Sequence, residues 1–572
     1  MLEIFFYGYL SSLHIYLCGY TFYYLVINKN ISNKCNIFEL AFYGAFILSL
    51  IALFLNFFIS LNVIVNTFIF LIPFIIFFTF FFNKNFLIKT LTFSIPITIL
   101  FVLTISFDGT YRPDAGSYHL PYISIINENK ILIGINNIHY RFGHTSIFQY
   151  LSSTYNNYIF NEKGINIPLA LFFCNFVGYC ICELKKYENQ RDIKIFIFLI
   201  LIFTIFRVNR YSDFGNDAPA NLLFFYLIIE TLKDNKNFLK IQKAIFASIF
   251  IFLNKITLLL ALFIPIYLII KKFEFKNIFN KISFISLFFL SIYLGKNILI
   301  SGCAMFPVEQ TCIENLYWYD KDSNRASNAI NARLENEAWT KGWVNQIGKR
   351  ENYKNYNSNF IWIKTWTISE GKTITKKLTP FLIFLLLLLI ILKIYDYRVH
   401  TPSVVKIKIE NHYNFCLLLC ICGSLLWFLK FPVLRYGYSY LISSIAIIFT
   451  LYLKNSKFIA NKLLFNNSIN YIIIFLIFGI TVKNSNRIYD GFIDKIDPWP
   501  NIYNDGKINS KKKNINIKKG KTTLFYKSKI GECYYSKSPC THYFNGNDFN
   551  LDEINLDNFY GYKIYYFKKN EL

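Results

Sequence analysis

Apolar runs of about 20 residues recur along this 572-residue chain, and they constrain its fold more than any other feature. A run of that length crosses the hydrocarbon core of a bilayer as an α-helix. We therefore predict an all-α polytopic membrane protein with about 12 to 14 transmembrane helices. The expected spans lie near residues 2–26, 38–60, 62–82, 86–107, 164–184, 193–207, 219–232, 282–300, 378–395, 413–433, 436–453 and 468–482.

The first apolar run lacks a basic segment ahead of it and a small-residue cleavage site behind it, so we expect it to remain as a span. The net charge of +26 would indicate nucleic-acid binding in a soluble protein. Here the Lys and Arg residues cluster in short loops between apolar runs, where they set membrane topology. We therefore expect membrane lipids as partners and no nucleic acid.

The loops divide into two alternating sets by their positive charge. One set is rich in Lys and Arg, for example Lys233, Lys236, Lys240 and Lys243 in a single loop, and we expect it to be cytoplasmic. We expect the other set to face outward from the inner membrane. It contains the N-terminus, the turn near Asn62, the loops 108–163, 208–218 and 301–377, the corner at Leu434 and the tail from 483.

The apolar stretch 244–270 begins after one basic loop and ends before another, yet it is too short for two full crossings. We interpret it as a pair of half-length helices that turn at Asn254 and Lys255, which requires a turn buried in protein or facing a wet cavity. The alternative is one long helix, with Lys255 tucked into the bundle. In either case an intramembrane Lys requires a partner.

Two close pairs of cysteines fall in segments assigned to the outside, where disulfides persist. We expect Cys303 to pair with Cys312 and Cys533 with Cys540. Metal binding is the competing interpretation, and its only indication is His542, two residues after Cys540.

Loop 108–163 places charged and aromatic side chains just beyond a span. Its stretches "SYHLPYISIINENK" and "HTSIFQYLSSTYNNYIF" predict short amphipathic helices along the membrane interface. The candidate site residues of this loop are Asp114, Tyr118, His119, Arg141 and His144. For His119 a structural role at the start of a helix is the alternative.

Two further outward segments carry charged residues. Loop 208–218 contributes Asp213 and Asp217, and Asp217 has a structural role available as a helix N-cap ahead of Pro219. The corner "KFPVLRYGYSYL" contributes Arg435 and Tyr436. Connecting loops do not need Asp beside Arg at a membrane surface, so we expect a site here.

Short motifs, taken in their order along the chain, resemble those of a known superfamily. An outward loop that opens with Asp beyond a span ("FDGTYRPDAGSYHLP"), a second acidic loop ("SDFGND"), a short-helix segment with Lys ("FLNKIT") and a late Arg-Tyr motif ("LRYGYSYL") resemble the GT-C superfamily of membrane glycosyltransferases. More narrowly, "PDAGSYHLP", "RFGHTSI", "SGCAMFPVEQTC" and "LRYGYSYL" resemble a bacterial family of large integral membrane proteins associated with surface polysaccharides. The resemblance covers roughly residues 86–455.

The resemblance implies transfer of a sugar from a polyprenyl-phosphate carrier to a glycan or lipid-linked acceptor at the outer face. The chemistry requires a base for the acceptor hydroxyl, for which we choose Asp114, and cations for the departing phosphate, for which we choose Lys255 and Arg435. Tyr118 and His119 would orient the acceptor or the phosphate. Asp213 and Asp217 would hold the acceptor or a divalent cation such as Mg²⁺ or Mn²⁺.

The chain divides into three predicted parts. Residues 1–85 form an N-terminal transmembrane extension, and residues 86–485 form the GT-C-like core. Residues 486–572 are polar; their Lys-rich start predicts a linker, and "NFYGYKIYYFKK" alternates like a strand of a small extracytoplasmic domain. That domain would cap the outer cavity or bind glycan.

Two other function classes stay open. A flippase for lipid-linked oligosaccharides would place charge along its spans, often with internal pseudo-symmetry. An O-antigen polymerase or ligase would use Arg and His more than an early Asp.

Overall fold

A computed structural model gives the fold of the protein. The structure describes residues 1–27, 36–108, 113–186, 191–207, 217–233, 239–272, 279–322, 324–346, 348, 350–398, 411–453, 456, 462–502, 514–519, 522–528, 531–542 and 553–567. Asp213 and most of loop 208–218 lie outside the described residues.

The described chain is mostly helical. The long helices are α1 (Leu2–Val26), α2 (Ile37–Asn56), α3 (Val63–Phe80), α4 (Lys84–Ile105), α7 (Ile167–Lys186), α8 (Arg191–Arg207), α9 (Asp217–Leu232), α10 (Leu239–Asn254), α12 (Lys281–Ser301), α16 (Lys372–Arg398), α17 (Asn411–Lys430), α18 (Leu434–Leu453) and α19 (Lys462–Ile493). Shorter helices are α5 (Leu120–Glu128), α6 (Ile147–Thr154), α11 (Phe263–Lys272), α13 (Ala329–Thr340), α14 (Tyr353–Ser358) and α15 (Trp362–Trp366).

Within the described ranges, 8 helical stretches are long and apolar enough to cross a membrane. They are Ile37–Asn56, Val63–Phe80, Lys84–Ile105, Asn161–Lys186, Lys281–Ser301, Trp362–Arg398, His412–Lys430 and Leu434–Leu453. This confirms the expectation of a helical protein with apolar, membrane-length segments. Each span expected from the sequence coincides with a helix, and the last one is longer than predicted, because α19 continues to Ile493.

The stretch 244–270 is broken where the sequence predicted a turn. Helix α10 ends at Asn254, Lys255 adopts an extended backbone (φ −151°, ψ 109°), and a 3₁₀ segment, Ile256–Leu262, leads into α11. Helix α11 packs against α10. The alternative of a single continuous helix is therefore wrong, and Lys255 sits at an interruption where its side chain can leave the helix surface.

The two short helices predicted in loop 108–163 are present as α5 and α6, but both are buried rather than exposed on one face. The predicted exposed face is therefore absent, and their position relative to the membrane interface stays a prediction. The C-terminal segment covers α5. The Ser124 hydroxyl donates a hydrogen bond to the Ser536 carbonyl at 2.5 Å, and the Ser538 hydroxyl donates one to the Glu128 carboxylate at 2.9 Å.

Short strands follow the last helix: β1 (Asn514–Lys519), β2 (Thr522–Ser528), β3 (Cys540–Thr541), β4 (Ile554–Phe559) and β5 (Tyr562–Phe567). Strand β2 pairs antiparallel with β1 and parallel with β3, and β4 and β5 form a hairpin. The strand predicted in "NFYGYKIYYFKK" is thus confirmed, whereas residues 503–513 of the predicted linker lie outside the described chain.

Three segments assigned to the same side of the membrane meet in the structure. Ile564 of β5 forms a bridge with Ile133, and Arg325 forms a salt bridge of 2.6 Å with Glu553. The predicted disulfides, Cys303 with Cys312 and Cys533 with Cys540, are both formed. Cys540 is therefore committed to a disulfide, which removes it from the metal interpretation.

Candidate functional site

Asp114 lies between two arginines that are distant from it in sequence. It directly precedes a π-helical turn, Ala115–His119. Its Oδ1 is 3.3 Å from Arg141 Nη1, and its Oδ2 is 2.5 Å from Arg435 Nη2. Burial alone would raise the pKa of this carboxyl, but the positive charges of Arg435 and Arg141 outweigh it and hold the pKa below its usual value.

Asp217 extends this network at the first residue of α9. Its Oδ1 forms a salt bridge with Lys255, and its Oδ2 is 3.6 Å from Arg435 Nε. Lys255 Nζ also lies 3.9 Å from the ring centroid of Tyr436, a cation–π contact. Asp217 therefore does more than begin a helix. We call Asp114, Arg141, Asp217, Lys255 and Arg435 the pocket cluster.

Helix packing fixes the corner that carries Arg435. Asn221 of α9 donates to the Arg435 carbonyl at 3.0 Å and accepts from the Ser439 amide at 3.1 Å. Trp427 Nε1 donates to the Val433 carbonyl at 2.8 Å and closes the turn between α17 and α18. A Cβ at Gly437 would lie 2.5 Å from the Trp427 ring, so this close approach requires glycine.

The π-helical turn carries Tyr118 and His119, and such turns are frequent at functional sites. The C-terminal segment fixes it: the Tyr534 amide donates to the Gly116 carbonyl at 2.8 Å, and a Cβ at Gly116 would lie 2.6 Å from the Tyr534 ring. His119 is 8% exposed, and burial lowers its pKa to about 4, so its imidazole is neutral at pH 7.

The pocket cluster adjoins a cavity of about 160 Å³. This is close to the roughly 150 Å³ that holds one benzene molecule in an engineered cavity, so there is room for one six-membered ring. Aromatic and neutral polar side chains make up much of its wall. The wall includes Tyr118, His119, Arg141, His144, Thr145, Ser146, Asn254, Lys255, Tyr293, Asn297, Phe306, Asn336, Trp339 and Tyr436.

His144 is one of the polar wall residues, and burial lowers its pKa to about 3. Its Nε2 is 3.1 Å from Asn336 Nδ2 of α13, a residue of loop 301–377. Ser146 donates to Asn254 Oδ1 at 3.0 Å, which ties loop 108–163 to the end of α10. The cavity is therefore built from segments that lie far apart in sequence.

The structure brings together all the candidate site residues that it describes. Asp213 is the exception, because it lies outside the described residues. Sequence reasoning missed Asn336 and Trp339, which lie on a polar amphipathic helix with no distinguishing pattern. It also missed Lys296 in "LGKNILIS", although a lysine inside an apolar run was a usable signal.

A divalent cation would have to compete with cations already bound to the carboxylates. Asp114 and Asp217 are both paired with Lys or Arg side chains. Within the described ranges no group of three or more His, Cys, Asp and Glu residues is arranged to hold a metal ion. The possible use of Mg²⁺ or Mn²⁺ stays a prediction.

The profile of a domain of unknown function, DUF8201, matches residues 1–442, a range that contains the whole pocket cluster. No curated protein and no solved structure matches the chain. Because the profile covers more than half of the sequence, the chain belongs to the DUF8201 family.

Proposed function

We propose that this protein is a membrane glycosyltransferase of the GT-C type. It would transfer one sugar from a polyprenyl-phosphate donor to a glycan or lipid-linked acceptor at the outer face of the inner membrane. The observation that carries the proposal is the meeting of a carboxylate, Asp114, with Arg435 and Lys255 beside a ring-sized cavity.

The chemistry assigns a role to each charged group. The acceptor hydroxyl oxygen attacks the anomeric carbon of the donor sugar, and Asp114 takes the hydroxyl proton. The bond between that carbon and the phosphate oxygen breaks, and its electron pair leaves with the lipid phosphate. Arg435 and Lys255 stabilise the negative charge that develops there. Asp217 holds these two cations in place through its salt bridges.

The low pKa of Asp114 bears on its role as a base. A carboxylate paired with two arginines is a weak base, because its proton affinity is depressed. A donor phosphate would attract Arg435 and Arg141 and weaken their pairing with Asp114. The pKa of Asp114 would then rise toward the range useful for catalysis when the donor is bound, and the unloaded site would stay inactive.

The membrane arrangement belongs to the same proposal. Helices α1, α8, α9 and α19 would cross the bilayer in addition to the 8 apolar stretches, and α10 with α11 would form a re-entrant pair. The total then falls in the range of about 12 to 14 expected from the apolar runs. The C-terminal strands would form a small extracytoplasmic domain that supports the π-helical turn.

An O-antigen polymerase or ligase is the second candidate, since Arg141 and His144 line the cavity and such enzymes use Arg and His. Both candidates take a lipid-linked donor, but a polymerase or ligase transfers an oligosaccharide. A cavity with room for one ring favours transfer of a single sugar.

Glycan and lipid analysis tests the proposal. A deletion strain is complemented with the wild type, with Arg435→Gln, or with Asp490→Asn, whose side chain is exposed on α19. We expect Arg435→Gln to reduce transfer by about 10²- to 10³-fold, because a cation that stabilises developing charge is lost. Polyprenyl-phosphate monosaccharide should accumulate and the surface glycan should lack one sugar, while Asp490→Asn should match the wild type.

Other results would contradict the proposal. An unchanged glycan and lipid pool in the deletion strain would rule out glycosyl transfer in this pathway. Accumulation of complete lipid-linked repeat units on the outer face would favour a polymerase or ligase. Accumulation of the same units on the inner face would favour a flippase.

A further inference from the structure

Lys296 is an intramembrane lysine that the proposed chemistry does not use. It lies on α12, five residues before the helix ends at Ser301, inside a candidate membrane span. A lysine about 7.5 Å from a helix end can extend its side chain to the membrane surface. Lys296 instead points into the protein and is 0% exposed.

The described contacts of Lys296 are with neutral groups. Its Nζ donates to the Thr145 hydroxyl oxygen and lies 4.2 Å from the ring centroid of Tyr293. No carboxylate pairs with it in the part of the chain that the structure describes. Aromatic rings and one hydroxyl do not replace the water that an ammonium loses on burial, so a protonated Lys296 is costly here, and an anion bound nearby would reduce that cost.

The hydroxyl that Lys296 contacts belongs to the cavity wall. Thr145, Tyr293 and Asn297 all line the cavity, and we call them the α12 wall. The Thr145 carbonyl accepts a hydrogen bond from the Tyr293 hydroxyl, which fixes the position of the residue. Because the Thr145 hydroxyl oxygen accepts from Lys296, its own hydrogen can be donated, either to the neighbouring Tyr122 hydroxyl or to an acceptor in the cavity.

Asn297 adds a second polar group to this wall. Its Nδ2 donates to the Ala304 carbonyl at 2.9 Å. Its Oδ1 is buried and has no hydrogen-bond partner among the described residues, and the residue is 6% exposed. A buried acceptor without a donor is unfavourable, and a ligand hydroxyl would satisfy it.

We infer that the α12 wall binds the carboxylate of an acidic sugar, so that the transferred unit is of the uronic acid class. The carboxylate accepts the Thr145 hydrogen, Lys296 supplies the counter-charge through that hydroxyl, and Asn297 Oδ1 accepts from a ring hydroxyl. This inference rests on the proposed function. It adds that the donor's two anionic groups bind apart, the phosphate at the pocket cluster and the carboxylate at the α12 wall.

Ligand-dependent melting of the full-length protein in lipid nanodiscs tests the inference. The probes are glucuronate, glucose as the neutral ring of the same size, and inorganic phosphate. The variants are Lys296→Met and, as a control on the same helix, Lys281→Met, whose side chain is exposed. Glucuronate should stabilise the wild type and Lys281→Met, and bind Lys296→Met about 10- to 100-fold more weakly, the usual loss for a charge-assisted hydrogen bond.

Glucose separates a specific role of Lys296 from a structural one, since its weaker binding should not change in Lys296→Met. If Lys296→Met does not fold, Thr145→Val removes the hydroxyl and keeps the lysine, and it should lose the preference for glucuronate over glucose. Equal binding of glucuronate and glucose to the wild type, or unchanged glucuronate binding in the variants, would overturn the inference.

The measurements with inorganic phosphate distinguish failure of the proposed transferase function from failure of the acidic-sugar inference. Phosphate should stabilise the wild type and Lys296→Met equally, because it binds at the pocket cluster. Loss of the phosphate effect in Lys296→Met, with no effect of glucuronate, would mean that the donor phosphate occupies the α12 wall and would overturn the acidic-sugar inference. A wild type that ignores phosphate but binds glucuronate would count against the proposed transferase and support the sugar site.

Discussion

Helices α9 and α10 each join two groups of charged residues at opposite ends of the bundle. Helix α9 begins with Asp217 of the pocket cluster and carries Glu230 near its other end, about 20 Å away along the helix. Helix α10 carries Lys243 near its start and ends beside Lys255. The second group, which we call the buried cluster, consists of Glu39, Glu183, Glu230, Lys233 and Lys243.

The two groups have similar chemistry but different surroundings. In the buried cluster Lys233 is 2.9 Å from Glu183, and Lys243 lies 2.6 Å from Glu39 and 3.1 Å from Glu230. Hydroxyls of Tyr179 and Tyr226 complete these contacts, and side-chain exposure runs from 1% to 12%. None of these residues lines the cavity that adjoins the pocket cluster.

In the pocket cluster side-chain exposure is higher, from 17% for Asp114 to 38% for Arg435, and a cavity adjoins it. Its carboxylates are held by cations but not enclosed. The comparison indicates that the buried cluster ties α2, α7, α9 and α10 together, whereas the pocket cluster holds its charges where a ligand can reach them. The two clusters contain the same kinds of residue, and they differ in whether a ligand can reach the charged groups. Ligand access therefore distinguishes the candidate site from the structural ion network.

Substitution of Asp114 gives the largest expected effect on activity. Asp114→Asn removes basicity and keeps the size of the side chain, so turnover should fall by about 10²- to 10⁴-fold with little change in folding. Asp217→Asn should reduce turnover less. The measurement is glycan complementation at matched protein levels, with Asp108→Asn as the control, since Asp108 lies outside the pocket cluster. Full activity of Asp114→Asn would remove this residue from the mechanism.

Substitution of Lys233 should act on stability instead. Lys233→Met leaves Glu183 and Glu230 buried without this cation, which typically costs about 3 to 5 kcal/mol of unfolding free energy. The control is Lys186→Met, because Lys186 is 45% exposed and 4.0 Å from Glu183. Thermal unfolding in nanodiscs compares the two variants. A normal melting temperature for Lys233→Met, with lost turnover in the folded protein, would instead indicate a functional role for the buried cluster.

Much of the fold was predictable from the sequence because hydrocarbon thickness imposes helix length. The apolar runs located the helices, and the charge of Lys255 inside 244–270 located the break between α10 and α11. The burial of α5 and α6 was not predictable, since a sequence pattern cannot reveal that residues 536–538 cover α5 or that α2 packs against α6. Likewise, the basic loop that includes Lys233 and Lys243 gave no sign that these side chains would turn inward to bind Glu183 and Glu39.

The sequence predicted which residues belong to the candidate site, but it did not predict which of them contact each other. Asp114 and Arg435 were identifiable because loops that only connect spans do not require charged residues of both signs at the membrane surface. Their ion pair joins residues more than 300 positions apart, and only the folded structure shows that they meet. Lys296 was missed because its run looked like an ordinary span, and its significance depends on the absence of a carboxylate near it in the described structure.

His119 should make stability depend on pH near the pocket cluster. Burial lowers its pKa to about 4, against the opposing effect of Asp114 and Asp217, while the unfolded chain has the ordinary value of about 6.5. Only the unfolded state gains a proton between these values, so stability should fall as pH decreases from about 6.5 to about 4, by up to about 3 kcal/mol.

The melting temperature of the wild type and His119→Gln, measured across that pH range, checks this expectation. Lys255 and Arg435 also face the imidazole, and both keep their charge over the range. The variant should therefore lose less stability on acidification than the wild type. Parallel curves for the two proteins would show that His119 does not contribute to the pH dependence.

The smallest effect on stability is expected at an exposed Lys–Glu ion pair, which has the same chemistry as the pairs of the buried cluster. Lys163 Nζ is 3.0 Å from Glu3 Oε2, and the two side chains are 43% and 44% exposed. Water and salt screen such a pair, so Lys163→Gln should change the unfolding free energy by less than about 1 kcal/mol and leave turnover unchanged. Melting curves at low and high salt measure this, and any small difference from the wild type should disappear at high salt. A destabilisation as large as that of Lys233→Met, persisting in high salt, would mean that burial does not explain the contrast between the ion networks of this protein.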